Sequence, residues 1–388
     1  MLKNIPINEL EVGMYVDSIT EQNGNLKIKN SGRVTSLAFI SELKTQGILT
    51  ILINLNEQQV SGSAQALITP SAARTTSNFE DEISRARKLH HKGKDIQRKM
   101  LQAISNDLPV DLALCKAFIR ELISSIGRNP DALLCMTKIR EKENYLLEHS
   151  LNVAILLANF ANHLHMAEQE VQELALSGFL HDIGKIKVPK DILNKAGSLS
   201  EQEMVVMRDH VYFGLRILQD MALPDHLIKI VAEHHERLDG YGYPDGARGD
   251  EISIHGRMIA IVDSYDAITA DRCYKAAIAS QKALKILHAQ APQKYDKNLI
   301  EQFVKSIGIY PVGSLVKLSS EKIAMVIKIQ DSHPLKPMVK VFYSVRSTHY
   351  LPPVELDLQT SQYRIEKAVL ASEFTLDFNR YFNEYIAL

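Results

Sequence analysis

The period of the apolar positions changes twice along this chain. In residues 1–70 the pattern is that of strands and turns. Ile48-Leu49-Thr50-Ile51-Leu52-Ile53 is a compact β-branched run, and Gly13, Asn23-Gly24 and Gly32 supply turn signals. Ser71 to Asn78 is small and polar and reads as a linker. A helical pattern follows, with Glu80, Asp81 and Glu82 ahead of Arg85, Arg87 and Lys88, the order that the helix dipole favours. From Leu108 to about Gly308 helical spacing persists: Leu146, Leu147, Leu151, Ala154, Ile155 and Ala158 share one face, Pro224 opens a further helix, and Met258, Ile261, Val262 and Tyr265 form a stripe around Asp263. After Tyr310-Pro311 the pattern returns to strands at 314–318, 324–329, 338–343 and around Val354, with His333-Pro334 and Pro352-Pro353 as turns and a last helix from Phe374 to Ile386.

These elements predict a mainly α protein: a helical bundle with a small β-rich domain before it and a β-rich appendix after it. The boundaries are 1–70 for the N-terminal domain, 71–124 for a linker and helix, 125–312 for the bundle and 313–388 for the appendix. No second copy of any segment argues for duplication.

Composition narrows the picture only a little. The 388 residues carry 45 Lys and Arg against 46 Asp and Glu, so no polyelectrolyte signature points to long nucleic acid or acidic membranes. Cys115, Cys135 and Cys273 are few, odd in number and widely spaced, as in a reduced compartment. The first residues lack a signal-peptide core and no apolar stretch has the length of a bilayer span, so a cytoplasmic location is expected.

The candidate chemistry lies in the bundle. His149, His181, Asp182, His210, His234, His235 and Asp263 come from five separate segments. Imidazole and carboxylate ligands without thiolates suit iron, manganese or zinc, and a carboxylate can bridge two ions. Seven ligands exceed one tetrahedral site and suit two divalent ions with positions left open for water and substrate. Asp182 directly follows a ligand histidine, so both can sit at one helix end, which makes it the natural bridge. The His90-His91 pair has no ligand partner at a suitable spacing and reads as a solvated helix face. His163, His165, His226, His255, His288, His333 and His349 read as ordinary packed or surface residues.

The residues around these ligands carry a resemblance. His181-Asp182-Ile183-Gly184-Lys185 is followed by His234-His235-Glu236-Arg237-Leu238-Asp239-Gly240-Tyr241-Gly242-Tyr243-Pro244, with His149-Ser150-Leu151-Asn152-Val153 upstream and Asp263-Ser264-Tyr265-Asp266-Ala267 downstream. Over about residues 125–312 this resembles the HD-GYP family, a branch of the HD phosphohydrolases. Leu10 to Val16 resembles part of the small domain often found ahead of it. The resemblance implies hydrolysis of cyclic di-GMP to the linear dinucleotide pGpG by a hydroxide that two metal ions activate; whether the reaction continues to GMP stays open. It divides the ligands into His149, His181, Asp182 and Asp263 for one ion and Asp182, His210, His234 and His235 for the other. It places Lys185 and Arg272 on substrate phosphate, although Arg272-Cys273-Tyr274 departs from the proline that many relatives have in the middle position. It makes Asp239 to Pro244 a substrate-side loop and a contact surface for diguanylate cyclases, with Tyr241 and Tyr243 as stacking platforms for guanine; for Tyr241 an exposed turn serves equally. Tyr145 stands where some members have a third-metal glutamate, so two ions are expected. A homodimer is compatible with all of this. Two alternatives stay open: an HD-type phosphohydrolase acting on another cyclic dinucleotide or nucleotide, and a non-catalytic receptor, which would be expected to have an eroded ligand set.

Overall fold

The computed structural model describes all residues except 1, 11–13, 23–31, 35–39, 41–42, 46, 55–76, 140–144, 271–276, 331, 375 and 386–388. The chain folds as two compact units, Met1–Ala73 and Arg74–Leu388.

In the first unit, strands β1 (Leu2–Pro6), β2 (Tyr15–Gln22), β3 (Gly32–Arg33) and β4 (Ile48–Asn54) form an antiparallel sheet in the order β1-β4-β2-β3. The β-branched run is β4, which pairs on both sides. Ile51 and Ile53 are buried at alternate positions beside Ile5 and Val16, as a strand half-covered by its own core requires. Gly13, Asn23-Gly24 and most of the expected linker lie outside the described residues.

The second unit begins with α1 (Phe79–Ser105), capped by the Asn78 side chain, which accepts a hydrogen bond from the Asp81 amide at 2.7 Å. Then come α2 (Leu112–Arg128), α3 (Pro130–Met136), α4 (Tyr145–His163) and α5 (Glu168–Leu180). Glu82, fully buried near the start of α1, accepts from Arg128 at 2.7 Å and Ser125 at 2.8 Å. The segment expected as a linker and helix, 71–124, therefore contributes α1 and α2 to the helical core itself. Phe118 of α2 meets Phe179 of α5 with ring centroids 5.3 Å apart. His90 departs from expectation. It is only 3% exposed, not on a solvated face, because α1 is buried along much of its length.

Helices α6 (Glu201–Arg208), α7 (His210–Asp220), α8 (Asp225–Ala232), α9 (Ile254–Thr269), α10 (Ser280–Ala289) and α11 (Lys297–Ile307) complete the bundle. Phe303 of α11 joins Phe160 of α4 and Tyr265 of α9 at 5.4 and 5.2 Å. The appendix is a five-stranded antiparallel sheet in the order β8-β7-β6-β5-β9: β5 (Leu315–Leu318), β6 (Lys322–Lys328), β7 (Met338–Ser344), β8 (His349–Asp357) and β9 (Ile365–Val369). It shares one continuous core with the bundle. The last helix, α12 (Phe378–Tyr385), lays Tyr381 over Phe342 and Tyr350.

Two expectations for the appendix change. Pro352-Pro353 lie inside β8 instead of forming a turn. β8 is an edge strand, where a missing amide donor faces no partner. β9 did not stand out in the sequence, because the adjacent charges of Glu366-Lys367 interrupt its apolar positions. The strand is held as the second edge of the sheet through pairing with β5.

Candidate metal centre

The seven predicted ligands converge at one end of the bundle. His181 caps the C-terminus of α5, and Asp182 leads into a tight turn, Ile183–Lys187. Gly184 lets that turn lie against α7. A Cβ there would stand 1.9 Å from the His210 carbonyl oxygen and 2.4 Å from the Gly214 nitrogen, so any other residue would push the His181 and His210 segments apart. After α8, a single turn, Glu233–His235, presents both adjacent histidines. Glu233 fastens this turn to α9: its carboxylate accepts from the Ser253 amide at 3.2 Å and from the Ser253 hydroxyl. The same helix delivers Asp263.

The ligand atoms form two groups. One is His149, His181 and Asp182; the other is His210, His234 and His235. Asp182 faces both with different oxygens. Its Oδ2 lies 3.5 Å from His149 Nε2 and 3.3 Å from His181 Nε2, while its Oδ1 lies 3.5 Å from His210 Nε2 and 3.9 Å from His234 Nε2. Asp263 also spans the groups, with Oδ1 3.0 Å from His149 Nε2 and Oδ2 3.6 Å from His235 Nδ1.

The partners of the other ring nitrogens, invisible in the sequence, follow a simple rule. His181, His210 and His234 each donate from Nδ1 to the carbonyl three residues earlier, on Gly178, Met207 and Val231, at 2.8, 2.6 and 2.6 Å. That carbonyl belongs to the turn just before each histidine, so the backbone fixes the tautomer and aims a bare Nε2 at the centre. His149 is different: its Nδ1 is 2.8 Å from Oδ2 of Asp266, a fully buried carboxylate. Asp266 stands within the segment around Asp263 but carries no role that the sequence alone assigns. Its signal was its place one helical turn beyond Asp263.

The donor set fits divalent cations. His181 Nε2 and Asp182 Oδ1 are buried and have no hydrogen-bond partner among the described residues. Buried polar atoms are rarely left so, and a cation supplies the missing interaction. Burial would raise the Asp182 pKa, but the neighbouring His181 and Lys185 outweigh it and hold the carboxyl well below the usual range. Burial likewise opposes ionisation of Asp263, and His149 and His235 overcome it. Both carboxylates are anions across the physiological range.

Outside the ligand set, Lys185 donates from Nζ to Asp182 Oδ2. Tyr243 lies on the ligand His235, with ring centroids 4.6 Å apart and the Tyr243 amide donating to the His235 carbonyl at 3.2 Å. One neighbour of its ring is thus a histidine of the site. Tyr241 is 79% exposed at the tip of the loop. Gly242 lets that loop fold back, since a Cβ there would stand 2.5 Å from Glu236 Cα. Glu236 holds it by accepting from the amides of Asp245 and Gly246 at 2.7 and 3.0 Å. Arg272 and Cys273 lie outside the described residues, as does the side chain of Tyr145. Among the described residues no helix is long and apolar enough to cross a membrane.

This geometry defines an HD-type centre, and comparisons with known proteins agree. Residues 121–299 match the HD domain family, residues 2–115 a domain of unknown function (DUF3391), and residues 315–376 the KOW domain associated with HD domain. The Cyclic di-GMP phosphodiesterase PA4108 of Pseudomonas aeruginosa is 34% identical over 372 residues, 92% of this chain and 89% of that one. The 3'3'-cGAMP-specific phosphodiesterase 3 of Vibrio cholerae is 32% identical over 222 residues, 57% of this chain and 45% of its own. Among solved structures, Bd1817, an HDG"Y"P protein from Bdellovibrio bacteriovorus, superposes with a TM-score of 0.50 at 16% identity, covering 78% of this chain and 98% of that one. The chain belongs to the HD domain family, in its HD-GYP branch.

His149 differs from His210, His234 and His235 in its response to acid. Burial pushes His210 down to about 4 and His234 down to about 3, and holds His235 well below its ordinary value. These three stay neutral and ready to ligate in mild acid. For His149 burial also acts downward, but Asp263 and Asp266 outweigh it and raise the pKa above 6.5. A raised pKa means that a proton occupies His149 at a pH where a free histidine has lost it, so protons compete with metal there first. On acidification of the loaded protein, the equivalent held by His149 is expected to leave at a higher pH than the other. Elemental analysis after equilibration at each pH checks this. Loss of both equivalents in one step would show that the groups titrate together.

Proposed function

We propose that this protein is a metal-dependent phosphodiesterase that opens cyclic di-GMP to the linear dinucleotide pGpG. The observation that carries the reading is Asp182, whose two oxygens face two separate histidine groups. His149, His181, Asp182 and Asp263 would hold one divalent ion, and Asp182, His210, His234 and His235 the other. Iron or manganese suits these ligands, with zinc as a further occupant. When bound, such a pair supplies hydroxide near neutral pH and neutralises charge developing on a phosphodiester. Lys185, beside the bridge, contacts the scissile phosphate, and Arg272 is assigned to phosphate on the resemblance alone. The exposed Tyr241 tip suits contact with a base or with a diguanylate cyclase.

The name of the Pseudomonas aeruginosa relative, which spans nearly the whole chain, supports cyclic di-GMP as substrate. A second reading, another cyclic dinucleotide, draws on three Vibrio cholerae relatives named for 3'3'-cGAMP. The test is turnover by protein purified anaerobically and loaded with Fe(II) or Mn(II), on a panel of cyclic di-GMP, 3'3'-cGAMP and cyclic di-AMP. Cyclic di-GMP is expected to react fastest, at close to two metal equivalents per chain, with pGpG formed before any GMP. Faster turnover of 3'3'-cGAMP selects the second reading. Absence of turnover across the panel with both equivalents bound rejects the enzyme and leaves a receptor.

A further inference from the structure

Arg208 is the last residue of α6, two residues before the ligand His210, and it is exposed. Its guanidinium carbon lies 5.1 Å from the centroid of the Tyr243 ring. That ring lies 4.6 Å from the ring of His235 and 6.4 Å from that of His210. A cation is thus stacked on the aromatic wall of the second histidine group, and an aromatic face both attracts and orients a guanidinium.

Among the described residues Arg208 has no acidic partner. Arg237 pairs with Asp239, and Arg257 pairs with Asp250 and Asp296. Arg208 makes no ion pair or hydrogen bond with a described residue. An arginine fixed by stacking keeps its N–H donors available for a ligand, and its planar fork matches the two oxygens of a phosphodiester.

A cyclic dinucleotide carries two phosphodiesters on opposite sides of one ring. When one lies at Asp182 and Lys185, the other lies elsewhere in the site, where a cation on the wall would meet its charge. We propose that Arg208 binds the phosphodiester that is not being cleaved and so selects cyclic dinucleotides over diesters with a single phosphate. This rests on the phosphodiesterase reading above and adds a specificity residue to it. Tyr243 acts as the bracket that holds Arg208 beside the ligand His235. A contact made equally in the ground and transition states changes KM and leaves kcat alone.

The experiment compares wild type with Arg208→Ala, each loaded with Mn(II), on cyclic di-GMP and on bis(p-nitrophenyl) phosphate, a diester with one phosphate. Metal content is measured on the same samples. Arg208→Ala is expected to raise KM for cyclic di-GMP roughly tenfold to a hundredfold, the scale of one charge-assisted contact. Its kcat, its metal content and its rate on the single-phosphate diester should stay near wild type. Arg208→Lys should recover only part of the affinity, because a point charge neither stacks nor forks. Equal losses on both substrates, or loss of metal, would assign Arg208 to the architecture of the site and overturn the proposal. An unchanged KM for cyclic di-GMP would overturn it too. A wild type that turns over the single-phosphate diester but no cyclic dinucleotide rejects the functional reading, and this inference with it.

Discussion

Replacing Asp182 with asparagine is expected to abolish turnover and to remove metal from both halves of the centre. Asparagine keeps the shape of the side chain and loses the charge. In the native chain one oxygen of this carboxylate faces His149 and His181, and the other faces His210 and His234. An amide offers one neutral oxygen and a nitrogen that cannot ligate, so the second group loses its anionic member and the first keeps only Asp263. Removing any single histidine should weaken one half more than the other; removing Asp182 should weaken both. The rate is expected to fall roughly a thousandfold or more, because several kcal/mol of transition-state charge stabilisation depends on the ions. The measurements are elemental analysis, turnover and circular dichroism on the same samples. Helical content should be preserved, since α5 and the turn after it are held by packing and by Gly184 against α7. Near-native turnover in this variant would rule out Asp182 as the bridge.

Much of this centre was legible in the sequence because metal ligation needs particular residue types in a fixed order. All seven candidate ligands chosen from the sequence meet around Asp182 and Asp263. The supporting residues were less visible, for physical reasons. Three of the histidines are oriented by carbonyl groups, and a carbonyl leaves no trace in residue type. Asp266 left a weak trace, since one aspartate a turn after another is common on solvated helices. Gly184 and Gly242 were visible as motif letters, but only the close approach of the His210 carbonyl and of Glu236 explains why a side chain is excluded. Helical periodicity located the bundle. It could not show that α1 and α2 belong to the bundle's core, because a charged amphipathic helix has the same pattern whether it links two units or covers one. The buried Glu82 with Arg128, and the buried Lys94 3.3 Å from Glu148, are the contacts that decide it. Lys94 also brings α1 to the residue beside His149, and Gln97 of α1 reaches the Phe179 carbonyl two residues before His181. The segment that read as a connection thus braces both helices that carry the first ligand group.

Lys185→Ala is expected to retain both metals and still lose substrate affinity or turnover. The Lys185 ammonium pairs with Asp182 Oδ2. Two divalent ions at Asp182 would repel that ammonium toward the open side of the site, where its side chain is already 15% exposed. An incoming phosphate carries the charge to meet it there. Deleting the lysine removes a cation that competes with metal for Asp182, so metal affinity should hold or rise. It also removes one charge-assisted hydrogen bond to an anion, worth about 1.5–3 kcal/mol. That corresponds to roughly tenfold to a hundredfold in affinity or rate. Lys185→Arg should recover little, because a broad planar fork does not replace a compact ammonium. Metal analysis beside kinetics separates the possibilities: retained metal with lost turnover places Lys185 on the substrate, whereas metal lost in proportion to activity makes it a structural partner of Asp182 and rejects the assignment.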